Sequence, residues 1–262
     1  MSSLIVVSDT HSGSIQGLCP KKGVPLKGGW YTPNEGQMYV AEAWDYFWNT
    51  WVPAFTKKTK WNILFNGDCV DGGDHDHEKI SNDRIVQSDA FISAFEPIRD
   101  RCKGKILWTQ GTPAHVGWSA QEEIRIARLM GAEALGEVCF RVGDALGHAL
   151  HHIGVTKNEF TAISGELLDV QREAGRWERE LPRVVIRSHC HRHSHAAIGS
   201  AGGLMHGITT PGWQLKGPYC YRAASARNCT PHVGGVGVKW EKGDLVVDSW
   251  FLKVARPKVV QL

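Results

Sequence analysis

No stretch of this 262-residue chain is apolar for long enough to span a membrane. Its start, Met1-Ser-Ser-Leu-Ile-Val-Val, lacks the basic region and cleavage site of a secretory leader. Seven cysteines are present, but no two form a CxxC pair, and an odd count argues against a disulfide framework. A reducing, cytoplasmic setting is therefore expected. Net charge is only +3, too small a bias to point to a nucleic-acid partner by itself. There is no internal repeat, low-complexity tract or interdomain linker, so a single domain over 1–262 is expected. Hydrophobic content of 42% and charged content of 22% fit an ordinary globular chain with a sizeable core.

Histidine is not scarce. Of 13 in the chain, His148, His151, His152, His189, His191 and His193 crowd into two short windows, with His195 just beyond. Short β-branched runs at 4–8, 61–65, 106–109 and 184–187 read as buried strands. Val138 to Val142 and Ala149 to His152 read as strands of a second sheet, and 236–240 with 245–252 as a hairpin. Apolar residues at helical spacing predict helices over 37–55, 83–101, 119–130 and 161–180. In the third of these Ser119 is the expected N-cap, with Glu122 completing a capping box. Residues 12–36 carry six glycines and three prolines and read as a long loop beside the active face. Residues 199–235 are rich in glycine, aromatics and proline and read as a second loop region, completed by the hairpin within 199–262.

Chemistry-bearing side chains stand at the ends of the strand-like runs. Asp9-Thr-His11 follows the first, Gly67-Asp68 the second and His189-Cys-His191 a later one. Asp9 and His11 alternate, so both can lean toward one point once the strand breaks at Gly13. Asp68 follows a glycine that allows a tight turn and a close backbone approach. Carboxylate oxygens and imidazole nitrogens collected from separate strand ends suit a pair of divalent metal ions, with Asp68 the expected bridge. The pattern points to a metal-dependent hydrolase.

With these residues in order, the chain resembles the calcineurin-like metallophosphoesterase family. That family's motifs read DxH, GDxxD or GDxxN, GNH, a lone His after a strand, and GHxH. Here they stand as Asp9-Thr-His11, Gly67-Asp68-Cys-Val-Asp71, Gly111-Thr-Pro-Ala-His115, His151-His152-Ile-Gly and Ser188-His189-Cys-His191. The resemblance implies an α/β four-layer sandwich of two mixed β-sheets flanked by helices. It implies Asp9, His11 and His191 on a first metal ion, Asp68 shared, and His151 and His189 on a second. His152 is the alternative to His151. The two ions would be Mn²⁺ first, with Fe or Zn²⁺ as alternatives. His115 would face the substrate and protonate the leaving oxygen, a task suited to imidazole. Two departures stand out: Thr112 replaces the asparagine of GNH, with two extra residues before His115, and Ser188 replaces the glycine of GHxH.

The activity implied is hydrolysis of phosphate esters by a metal-bridging hydroxide, with a phosphodiesterase or nuclease read first. A phosphomonoesterase acting on phosphoprotein or a small metabolite is the alternative, and a non-catalytic interaction module with a degraded second site is another. The partner is a phosphate-ester substrate, nucleic acid among the candidates, and no membrane. Asp71 reads as a supporting carboxylate. Asp74-His-Asp-His77-Glu78 reads as a solvated loop rather than a third metal site. His193 and His195 read as solvated or substrate-facing, and Cys190 as no zinc ligand. Trp30, Tyr31, Trp118, Trp213, Tyr219 and Tyr221, with Lys21, Lys22, Lys27, Lys216, Arg222 and Arg227, are loop aromatics and cations that suit stacked bases and phosphates and equally suit packing of the loops themselves.

Overall fold

In the computed structural model, residues 2–73, 78–154, 158–217, 230–252 and 254 are described. Tyr219, Tyr221, Arg222, Arg227 and the 74–77 part of the acidic-histidine loop lie outside them.

Strands whose two faces are both covered read as unbroken apolar runs, and β1 (Ser2–Val7) shows why. Leu4 and Val6 point to one side of their sheet, Ile5 and Val7 to the other, and all four are buried. With β4 (Asn62–Asn66), β5 (Ile106–Thr109) and β6 (Ala134–Leu135) it forms a parallel array. The antiparallel hairpin of β12 (Gly234–Glu241) and β13 (Asp244–Phe251) extends the other edge of β1, giving the order β13-β12-β1-β4-β5-β6. The second sheet uses β7 (Glu137–Val142), β8 (Ala145–Leu150), β9 (Val184–Arg187), β10 (Ser194–Ser200) and β11 (Gly203–Thr209), in the order β10-β11-β9-β8-β7. Its β8, β9 and β11 are mutually parallel and its edges antiparallel. Both sheets are mixed, as expected.

The sheets face each other across a core of Leu4, Val6, Leu64, Phe140, Val142, Ile186, Ile208 and Val236. On the outer face of the first sheet, Ile5, Phe65 and Trp108 pack against α1 (Glu35–Tyr46), α3 (Arg84–Arg101) and α5 (Gln121–Leu129). On the outer face of the second, Val185 and Met205 pack against Ile163 and Leu167 of α6 (Glu159–Arg176). Four layers result. Truncating one of these large side chains, Trp108 for example, is worth about 3–5 kcal/mol.

Several boundaries differ from the sequence expectation for identifiable reasons. The helix expected over 37–55 is broken. Asn34 caps α1 with a capping box shared with Gln37, then Phe47–Trp51 forms a π-helical turn before α2 (Val52–Thr56). Pro53 has no N–H to give the α-helical register, and the chain slips to the wider Val52 N–H to Phe47 C=O bond at that point. Ser119 does not cap α5; Ala120 occupies the cap position with a left-handed backbone. Glu122 instead accepts from Ser88 and Arg125. The 12–36 loop contains a small hairpin, β2 (Val24–Leu26) with β3 (Gly29–Tyr31). Strands β10 and β11 are hidden from a pattern reading, because alternation there is weak and the pairing of β11 with β9 and of β10 with β11 supplies what side chains do not.

Candidate metal centre

The carboxyl ends of β1, β4, β5, β8 and β9 all open on one edge of the sandwich, where open α/β sheets place their sites. The loops leaving them are laced together by backbone. Asp9 N–H donates to Gly67 C=O, His11 N–H to Asp68 C=O and Ser12 N–H to Cys69 C=O, at 2.9, 3.1 and 3.0 Å. Trp213 N–H donates to Asp9 C=O, Ser188 N–H to His151 C=O and His232 N–H to His191 C=O, each at 2.8 Å. Below them Asn66 joins both sheets: its amide donates to Leu150 C=O and to Ser188 Oγ and accepts from Thr109 Oγ1.

That lacing holds an unusual backbone. Asp9, His11, Asp68, His189 and His191 all have positive φ, between 40° and 71°. Left-handed backbone at a non-glycine residue costs about 1 kcal/mol or more each and persists only where neighbours impose it. Five such residues are also five of the six expected ligands.

Their side chains converge. Asp9, His11 and His191 form one group able to share an ion, and Asp68, His151 and His189 a second. Asp68 also groups with His11 and His115, so among the described residues it is the carboxylate common to both sides. His11 Nε2 lies 3.0 Å from His191 Nε2, which is 3.4 Å from Asp9 Oδ1. His151 Nε2 stands 2.9 Å from Asp68 Oδ2 and 3.8 Å from Asp9 Oδ1. Yet Asp9 Oδ1 and His151 Nε2, both fully buried, have no hydrogen-bond partner among the described residues. The short contact to Asp68 is off the hydrogen-bonding direction. Buried polar atoms clustered without mutual hydrogen bonds are what a shared cation would satisfy, and the N/O donor set fits a divalent ion.

Supporting groups orient the ligands. His151 Nδ1–H donates to Asn66 C=O at 2.6 Å, leaving Nε2 to face the cluster. His11 Nδ1 is backed by Asp71 Oδ1 at 3.2 Å, so Asp71 serves as the supporting carboxylate. His115 Nδ1–H donates to Asp71 C=O, and its ring stands edge-on to His11 with centroids 4.4 Å apart. Thr112 begins α4 (Pro113–Val116), but its hydroxyl does not cap that helix. It donates to Asp68 Oδ2 at 2.9 Å and receives His189 Nδ1–H at 3.0 Å, while Thr112 N–H donates to Asp68 Oδ1. The threonine that departs from the GNH pattern thus sits among the ligands. A Cβ at Gly111 would lie 2.2 Å from Asp68 Oδ1, and one at Gly67, where φ is +83°, 2.5 Å from His151 Nδ1. Both positions admit glycine alone.

Electrostatics follow from the crowding. Burial acts to raise the Asp9 carboxyl, but His151 and His191 outweigh it and hold the group at about 2. Asp68 lies well below the usual range; burial opposes this, and His151 is the main cause. Burial opposes the His151 imidazolium, and Asp68 and Asp9 lift it nonetheless to about 10. His11 is pushed down by burial and then by His115.

One functional group escaped the sequence reading. Glu123, fully buried on α5, accepts from Cys69 N–H and Gly111 N–H at 3.1 and 2.5 Å, tying together the loops that carry Asp68 and Thr112. Burial, then Asp68, pushes its carboxyl up to about 7. The signal was there: 123 shares the buried helix face with Ile126, Ala127 and Met130, and an acid on an apolar face needs a reason.

Other expected residues are elsewhere. Trp213 is fully buried against Trp44 and Phe47 instead of facing a loop ligand. Tyr31 donates to Gln37, Trp30 Nε1 to Lys22 C=O, and Lys21 pairs with Asp45. His193 Nδ1–H donates to Thr209 C=O and His195 is paired with His206, so neither ring is simply solvated. His152 packs on His189 and His151. Among the described residues no helix is long and apolar enough to cross a membrane.

No protein-family model matches the chain, and no curated protein does. Solved structures similar to it include an archaeal phosphodiesterase, at 12% identity over 95% of this chain and 99% of that one, with a TM-score of 0.45. A predicted phosphoesterase from Streptococcus pneumoniae is 13% identical over 95% and 88%, TM-score 0.39. Vps29 from Entamoeba histolytica, complexed with zinc, is 9% identical over 95% and 99%, TM-score 0.43.

Proposed function

We propose that this chain is a metal-dependent phosphoesterase acting first on phosphate diesters. The observation that carries the reading is the convergence of six separated side chains on one strand-end edge, with Asp9 Oδ1 and His151 Nε2 buried and unpartnered. Asp9, His11, His191 and Asp68 would hold one divalent ion, and Asp68, His151 and His189 a second, with Thr112 beside it. Bound there, divalent cations supply Lewis acidity toward a phosphoryl group and acidify water near neutral pH.

The protein's own part is placement and proton handling. Asn66, Asp71 and Glu123 hold the ligands or their loops. His115, its Nδ1 committed to Asp71 C=O, turns its remaining nitrogen to the leaving-group oxygen and carries the proton that oxygen needs. The fully exposed indole of Trp118, next to this loop, suits a substrate with organic groups on both ester oxygens.

Hydrolysis of bis(p-nitrophenyl) phosphate against p-nitrophenyl phosphate, with added Mn²⁺, tests the proposal. Diester preference is expected, with turnover lost in Asp68→Asn. Preferential monoester turnover would move the chain to the phosphomonoesterases. Thr112 favours a second reading, a non-catalytic module, for which fewer than one ion bound per chain after Mn²⁺ loading would be the sign.

A further inference from the structure

Two side chains beside the centre have no structural employment among the described residues. Trp118 is 96% exposed, the most exposed large apolar side chain among the described residues. Arg84, the first residue of α3, is half-buried, yet no carboxylate or hydrogen-bond acceptor among the described residues meets its guanidinium. The guanidinium lies against the two loops that hold His115. Its Nη1 is 3.0 Å from where a Cβ on Gly117 would stand, and its Nη2 is 3.8 Å from the same point on Gly73. Gly117 is two residues past His115 and directly precedes Trp118. Gly73 is two past Asp71, whose carbonyl accepts from His115. Chain length alone keeps the Trp118 Cα within about 11 Å of the His115 Cα.

A bare indole and a partly desolvated guanidinium unpaired among the described residues are both surfaces a folded chain ordinarily covers. Together they offer a planar π face and a fork of N–H donors matched to phosphate oxygens. Every base has a face that stacks on an aromatic ring, and every backbone step carries a phosphate. We infer that Trp118 and Arg84 form a subsite for a nucleobase and its neighbouring phosphate in a single-stranded nucleic acid or dinucleotide. The subsite rests on the diester reading above, in that the scissile phosphate would lie beside His115.

Two measurements separate this inference from that reading. In chelator-treated protein, labelled oligothymidylate is titrated by fluorescence anisotropy across a range of salt. Trp118→Ala is expected to weaken binding roughly 5- to 150-fold. Arg84→Gln is expected to lower the slope of log affinity against log salt by about 0.7, with Arg84→Lys restoring it. Trp177→Ala, an exposed tryptophan at the far end of α6, changes neither. In Mn²⁺-loaded protein, the ratio of kcat/KM for the oligonucleotide over its abasic counterpart falls in Trp118→Ala. Unchanged binding, slope and ratio in the variants would overturn the subsite and leave Trp118 to a protein contact, even if bis(p-nitrophenyl) phosphate is hydrolysed. No turnover of any diester, with binding still lost in the variants, would overturn the hydrolase and keep the subsite.

Discussion

Replacing Glu123 tests whether a buried acid organises the centre from behind. Its two oxygens take one backbone N–H from the loop after β4 and one from the loop after β5. In the Ala variant both donors lose their acceptor, and a buried N–H left unpaired costs about 1–3 kcal/mol. Glu123→Ala should therefore lose about 2–6 kcal/mol of stability, a large part of what a domain possesses. Glu123→Gln keeps one acceptor and turns an NH₂ toward the other donor, so its loss should be about half as large. The two differ again with pH. Burial and Asp68 raise the Glu123 carboxyl from 4.5 to about 7 in the metal-free protein. A raised acid binds more protons folded than unfolded. Its contribution is therefore whole below pH 4.5 and shrinks as pH rises through about 7, a swing on the order of 3 kcal/mol. Urea denaturation of chelator-treated wild type, Glu123→Ala and Glu123→Gln, at about pH 4.5 and about pH 8, measures all of this. The glutamine variant should close part of its gap to wild type at the higher pH. An alanine variant within about 0.5 kcal/mol of wild type, or a gap to glutamine that does not change with pH, would refute the reasoning.

Three further outcomes are expected. His151, lifted to about 10 by Asp68 and Asp9 against the pull of burial, must give up a proton to bind a cation. Apparent affinity for the second ion should thus rise about tenfold for each pH step of one between about pH 6 and 9, read by chelator competition. In the metal-free protein the same imidazolium stabilises the fold fully below its ordinary 6.5 and loses that contribution as pH rises through about 10. Gly111→Ala drives a methyl into Asp68 Oδ1. Metal affinity should fall about 10- to 100-fold by isothermal titration, with about 1–3 kcal/mol lost in thermal melts. Thr112→Val keeps the shape but strips Asp68 and His189 of their shared hydroxyl. Stability should fall by about 1–2 kcal/mol, and the second ion, which loses support at both Asp68 and His189, should weaken more than the first.

That Asp9, His11, Asp68, His151, His189 and His191 could stand together was legible in the chain, because such donors are rare side chains and their place at strand ends is a one-dimensional pattern. The two-sheet sandwich was likewise legible where strands are buried on both faces, as in β1, β4 and β9. Their apolar runs leave no other element. What the chain did not disclose are the features made by contact between distant segments. Strand β11 exists because β9 offers it a ladder, and β10 because β11 does. Glu123 matters because two loops, 54 and 12 residues away in sequence, point backbone N–H groups at it. Trp213 is core because Trp44 and Phe47 cover it, whereas Trp118, similar in local sequence, is bare. The left-handed backbone at Asp9, His11, Asp68, His189 and His191 is imposed by loop-to-loop hydrogen bonds that no local propensity favours. Residue type and order thus determined which groups are available for chemistry. Only tertiary packing decided which are dry, which are paired and which face solvent, since burial and pairing depend on neighbours that sequence spacing does not record.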